Sequence, residues 1–288
     1  MERPRTCDIP SSRWRFLRKL SDNHGTIAHY VHEIHPYPLI FMTGGGSHLY
    51  QCASSSSDYD IYGCHLLPLD HLLGLNPHAQ ETIEQKSDGN EHLPKLESVT
   101  HDLRKFVFLL LKSNGNVLES LYSPMVFLSS HGHEELKELA KGCITKKSAA
   151  HYKGMAFHQQ QLLANNPLKK ILHMYRCLLM GIFLMQTGRL EMRLPSLAER
   201  FHYQDISDLI VRKRNPDALP LSEESIRRHL VSIESLVHTL DWETEQSHLP
   251  EAPSKQTRQA LEKFIIVQRK EGEDALSRQF MTETNGDV

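Results

Sequence analysis

The chain is poor in the features that would announce a function at once. It has only five cysteines, at positions 7, 52, 64, 143 and 177, and no two are spaced Cys-x-x-Cys. That count and spacing speak against both a disulfide framework and a cysteine zinc site, so reduced thiols are expected. The longest apolar run, Cys177–Met185, falls far short of the roughly 20 residues that span a bilayer. Behind the first residues, Met1 to Cys7, there is no apolar core of a secretory signal. The expectation is a soluble, cytoplasmic chain with no membrane partner. An excess of one charge is missing too, since 33 Lys and Arg stand against 35 Asp and Glu, a net charge of −2. A protein dedicated to coating nucleic acid carries a basic excess, so only a local basic groove is left open.

What is present is an ordinary globular balance, 39% hydrophobic and 24% charged over 288 residues, enough for one large or two ordinary domains. The first part alternates short apolar strands with loops, at Pro38–Thr43, Asp58–Leu67, Leu96–His101 and Pro124–Leu128. Between the last two, Asp102–Lys112 has the spacing of a buried helix, with Asp102 placed to cap it. From about residue 131 the apolar spacing turns helical, over His133–Cys143, Ser148–Leu163, Leu168–Thr187, Ser222–Leu240 and Lys255–Arg269. The fold expected is therefore an α/β core with a mixed sheet over residues 1–130, including a helix from about residue 12. An all-helical domain follows over 131–270, and 271–288 has the polar composition of a disordered tail. The 19 histidines are scattered, and the one tight pair, His131-Gly-His133, reads as a solvated loop before a helix.

One stretch carries chemistry. A strand runs into Gly44-Gly45-Gly46-Ser47, a polar loop follows, and Asp58-Tyr59-Asp60 opens the next strand. Glycines let a backbone approach a phosphate, and N–H groups at a helix start favour an anion. Asp58 and Asp60, two apart on a strand, project from one face. Like charges so placed repel unless a cation lies between them, and hard oxygen ligands suit Mg²⁺ or Mn²⁺ when substrate phosphates complete the shell. Either half alone is commonplace, a flexible turn or a solvated strand edge. Their conjunction in this order is far more specific.

Gly46-Ser47 followed by Asp58-x-Asp60 resembles the nucleotidyltransferase superfamily that includes DNA polymerase β. The likeness is nearer to a bacterial and phage branch associated with RNA-repair operons. It is carried by Ser57–Gly63, His101–Phe106, Asn114–Leu121, Tyr152–Ala156 and Lys169–Leu179, spanning about residues 36–200. The resemblance implies a nucleotidyltransferase core and a third metal-binding carboxylate on a later strand. Glu97 is the candidate, and Asp102 competes, although capping already explains it. It further implies that Asp58, Asp60 and Glu97 hold Mg²⁺ (or Mn²⁺), and that Ser47 with the backbone of Gly45 and Gly46 holds an NTP phosphate.

Cations near the triphosphate are expected from Lys105, or its neighbour Arg104, and from Lys169, His173 and Arg176, which share a helix face. A solvated face is the plain alternative for each. Tyr152 and Lys153 have the same standing, and Glu119, a charge among apolar neighbours, is either an ion-pair partner or a chemical group. The activity implied is transfer of an NMP from an NTP to a hydroxyl, with RNA 3′ ends or protein as favoured acceptors. For RNA, Lys169, Lys170 and Arg176 with Arg212, Lys213 and Arg214 form the candidate basic stripe. The rival readings are a non-catalytic nucleotide sensor or antitoxin-like partner that keeps the fold, and a plain helical interaction protein. Nothing in the sequence speaks to the oligomeric state.

Overall fold

Leu39-Ile-Phe-Met-Thr-Gly44 is buried at every position, as a strand covered on both faces must be. In the computed structural model, which describes residues 23–73 and 81–284, it forms β1 (Leu39–Gly44) of a five-stranded sheet. Strand β1 pairs antiparallel with β2 (Tyr59–His65) on one side and β5 (Val126–Ser129) on the other. Strand β2 pairs parallel with β4 (Leu96–Asp102), and β3 (Thr82–Ser87) closes the edge antiparallel to β4. The sheet is therefore mixed, in the order β3-β4-β2-β1-β5.

Neighbouring residues of β1 point to opposite faces, and each anchors a different layer. Phe41 packs with Phe106 and Leu110 of α4 (Leu103–Leu111) and Leu118 of α5 (Gly115–Tyr122). Met42 packs with Ile27 and Val31 of α1 (Asn23–Ile34). The helix expected from about residue 12 falls largely outside the described residues.

The helical half is built around α8 (Pro167–Thr187). Asn166 caps it by accepting from the Lys169 amide, Pro167 opens it, and Gly188 closes it in the left-handed region at φ 67°. From Ile171 to Met185 it is buried almost all round, as a central helix must be. Packed on it are α7 (Lys147–Gln161), α9 (Leu194–Arg200), α10 (Asp205–Arg214) and α11 (Glu223–Gln246).

Two helices expected in that half instead cover the sheet. Leu136 of α6 (His131–Ala140) joins Leu261 and Phe264 of the last helix in the layer around Phe41. That last helix, α12 (Lys255–Thr284), extends beyond residue 270. Its Arg269 donates through Nη2 to both Asp102 oxygens, at 2.6 and 2.8 Å. The polar stretch read as a loose tail thus partly continues a helix, to Thr284. Strand β3 went unpredicted because an edge strand with exposed Glu84 lacks a buried run. The short helices α2 (Gly46–Leu49) and α3 (Leu69–Leu73) and a single 3-10 turn, Lys141–Cys143, complete the described elements.

His133 is a core residue and no part of a solvated loop. Its ring stacks on Phe41 at 4.3 Å, and Nε2–H donates to the Leu121 carbonyl at 3.1 Å. His35 is buried too, donating from Nδ1 to the Tyr37 carbonyl at 2.8 Å. Burial pushes each of these imidazoles down to about 4. The unfolded chain takes up those protons near pH 6.5 while the folded chain does not, so stability must fall as pH drops from 6.5 toward 4. We therefore expect the melting temperature to decline steadily across that window in a thermal-denaturation series. A flat profile between pH 6.5 and 4.5 would contradict the buried neutral histidines.

Candidate active site

The site forms where β1 turns back over β2. The Gly45 amide donates to the Asp60 carbonyl at 2.8 Å, which draws the glycine turn down onto the second aspartate. A Cβ on Gly45 would meet the Tyr62 ring at 2.3 Å. Gly46 has φ +57°, and a Cβ there would stand 1.6 Å from Asp60 Oδ2. Only glycine fits this approach. On the far side of the single turn α2, His48 stacks on Tyr59 at 4.0 Å and its Nε2–H donates to the Ser57 carbonyl. The turn and the Asp-x-Asp strand therefore form one unit.

Parallel pairing sets Asp60 abreast of Glu97. Asp60 is half-buried, and its carboxyl is held above the ordinary range, first by burial and then by the Glu97 and Asp58 charges. Lys169, acting from the opposite wall, pulls the other way. Glu97 is exposed and ion-pairs with Lys86 at 2.7 Å. Asp102, its rival, lies at the other end of β4 with both oxygens engaged. It caps α4 by accepting from the Arg104 amide at 2.9 Å, accepts from the Leu67 amide, and pairs with Arg269. Of the two, Glu97 is the one that shares a cleft with Asp58 and Asp60.

That cleft has a volume of about 1600 Å³ and is lined by Gly46, Ser47, Asp58, Asp60 and Glu97 on the sheet side. Lys169, His173, Arg176, Arg212 and Lys213 line it on the helical side. Gly45 is buried behind the turn. Lys105 is not brought here. Its helix leaves the Asp102 end of β4, and its ammonium donates to Thr82 Oγ1 on the edge strand.

Arg176 lines the cleft in a role other than the expected one. Its guanidinium is buried, and Nη1 donates to both oxygens of Glu119, at 3.0 and 2.9 Å. Nη2 donates to His173 Nε2 at 2.9 Å, and the Tyr50 ring lies 4.0 Å away. Tyr50 in turn donates its hydroxyl to Glu119 Oε2. So engaged, Arg176 cannot offer a phosphate two parallel hydrogen bonds, and Glu119 is its ion-pair partner. The expected basic stripe is also broken up. Lys213 donates to the Cys52 carbonyl at 2.7 Å and Arg214 to the Gln51 carbonyl at 2.8 Å, which ties down the loop between the glycine turn and the aspartates. Burial, with Lys169 and Arg214 adding to it, pulls the Lys213 ammonium below its ordinary value. Sequence reasoning missed Tyr50, whose only signal was its place four residues past Gly46.

The model of the family described as RNA repair pathway DNA polymerase beta family matches residues 24–267, most of the chain. The chain belongs to that family. The matched span takes in the glycine turn and the Asp-x-Asp strand that build the cleft. An uncharacterized protein, MJ0002, from Methanocaldococcus jannaschii is 35% identical over 158 residues, 53% of this chain and 62% of that protein. The chain thus spans about three-fifths of that relative's length. The crystal structure of a nucleotidyltransferase-like protein from Exiguobacterium sibiricum covers 76% of this chain and 75% of its own, at 11% identity and a TM-score of 0.30. That likeness is too distant to bear on the site. Among the described residues no helix is long and apolar enough to cross a membrane.

The two β4 carboxylates should separate cleanly by stability. Asp102→Asn removes the charge that compensates buried Arg269, a loss of about 3–5 kcal/mol, so the melting temperature should drop sharply. Glu97→Gln breaks only an exposed ion pair, of the kind that contributes about 0–1 kcal/mol, and should melt like the parent. Equal melting temperatures for the two variants would contradict this division of roles.

Proposed function

We propose that the chain transfers a nucleoside monophosphate from an NTP to a hydroxyl acceptor, releasing pyrophosphate, in a reaction that needs Mg²⁺ or Mn²⁺. The observation that supports it best is Asp60, pressed under Gly46, abreast of Glu97, and facing Lys169 across the cleft. Among the described residues no three His, Cys, Asp or Glu side chains are drawn together tightly enough to hold a metal unaided. The donor chemistry nevertheless fits a hard divalent cation. Three carboxylates line one cleft, and the charge on Asp60 is held there against burial and its acidic neighbours. Phosphate oxygens would complete such a shell.

Asp58, Asp60 and Glu97 are the residues that would hold the ions. A metal bound there supplies charge neutralisation for the leaving pyrophosphate and a lowered pKa for the attacking hydroxyl. Ser47 Oγ and the backbone of Gly46 orient phosphate oxygens at the turn. Lys169 balances triphosphate charge from the opposite wall, and Lys213 keeps the loop between them in place. The chain itself performs no covalent step, so positioning and electrostatics account for the rate.

The family's link to RNA repair supports an RNA end as the acceptor to try first. The cleft volume, about 1600 Å³, exceeds the roughly 300–1,000 Å³ typical of a small-molecule site and leaves room for an acceptor beside the NTP. The test is incubation with each α-labelled NTP, Mg²⁺ or Mn²⁺, and pooled RNA or protein lysate. Label should pass to a macromolecule with release of pyrophosphate. Asp60→Asn should bring transfer to background without lowering the melting temperature, because it removes a charge that burial and its neighbours disfavour. Full transfer by Asp60→Asn sinks the reading.

A further inference from the structure

His173 has one proton arrangement open to it. Arg176 Nη2 lies 2.9 Å from His173 Nε2. A guanidinium carries donors only and keeps its charge throughout the pH range of a folded protein. Nε2 must therefore accept, and the ring proton must sit on Nδ1. Arg176 cannot turn away to release this constraint. Both Glu119 oxygens hold its Nη1, the Tyr50 ring covers its face, and the whole group is buried.

The alternative route to a donor, protonating the ring, is closed as well. Burial, followed by the charges of Arg176, Lys170, Lys169 and His158, pushes the imidazole down to about 3. Among the described residues nothing accepts the Nδ1–H, and the ring lines the cleft. One helical turn earlier on α8 stands Lys169, whose charge reaches Asp60. Asp60, Lys169 and His173 line the same cleft.

We propose that His173 is a neutral, single-tautomer donor whose Nδ1–H binds an oxygen of the nucleotide's triphosphate, with Arg176 and Glu119 as the positioning residues that fix the tautomer. This rests on the nucleotide reading above. It assigns the buried ion pair an indirect part in binding. Arg176 touches no substrate and acts by deciding which ring nitrogen carries the hydrogen. A neutral donor also adds a directed contact beside Lys169 without placing a second like charge there.

Two side chains separate the ring's edges. Asparagine sets its amide nitrogen near the position of Nδ1, whereas glutamine reaches the position of Nε2. We expect His173→Asn to bind Mg²⁺ with α,β-methylene-ATP within about threefold of the parent, and His173→Gln to bind roughly tenfold more weakly, the effect of one hydrogen bond. In the full-length parent, imidazole nitrogen NMR should show one ring, identified by its loss in His173→Gln, protonated on Nδ1 and unchanged from pH 8 to 5.5. A ring protonated on Nε2, or titrating near 6.5, overturns the proposal without touching the nucleotide reading. So does the reverse ranking, equal weakening, or parental affinity in both variants. A parent that binds no probe while the NMR result holds overturns the nucleotide reading, and the triphosphate contact with it.

Discussion

The ion pair between Glu119 of α5 and Arg176 of α8 holds the two halves of the molecule in one arrangement. Both partners are buried, at 3% and 2% exposure. Removing two such charges from water costs several kcal/mol per ion, and only close geometry with further hydrogen bonds offsets it. Here the offset is visible. One guanidinium nitrogen meets both carboxylate oxygens, Tyr50 donates to the same carboxylate, and the second nitrogen meets His173. The Leu194 amide fixes the Tyr50 backbone by donating to its carbonyl. Because Tyr50 follows directly on the turn that carries Ser47, the pair also sets where that turn stands.

Around this tie the cleft is divided by charge. The sheet wall presents Asp58, Asp60 and Glu97, and the helical wall presents Lys169 and Lys213. Burial first, and like-charged neighbours after it, disfavour the charge on each wall, raising the Asp60 carboxyl and lowering the Lys213 ammonium. A cation set against an anionic ligand relieves both walls together. On that ground a metal-bound triphosphate, rather than either part by itself, is the ligand proposed for the space. The near-neutral net charge of the whole chain, −2, conceals this local opposition.

Much of this was legible in the residues, and the omissions have physical causes. The Asp-x-Asp spacing and the glycine turn are local, so their shared face followed from strand geometry. Asp102 was readable as a helix cap because a cap bonds within two residues, to the Arg104 amide. Its second partner, Arg269, lies 167 residues away and leaves no local trace. Arg176 was placed on the right helix face but given the wrong contact, since periodicity reveals direction and not what waits there. Glu119 filled that place. Lys105 was misjudged because following a strand in sequence says nothing about which end of it the site occupies. The helices α6 and α12 look like their helical neighbours in pattern, and only long-range packing sends them to the sheet.

The central claim is that the carboxylate wall and the basic wall together hold a metal and a nucleotide. Electron paramagnetic resonance of Mn²⁺ tests it directly, because the free aquo ion gives a strong signal that weakens when the ion binds protein. With the full chain and α,β-methylene-ATP in excess, the account predicts loss of that signal beyond what the nucleotide alone causes. The loss should vanish when Asp58 and Asp60 are both replaced by Asn. An unchanged signal with the parent chain, or the same loss with the double variant, would contradict it.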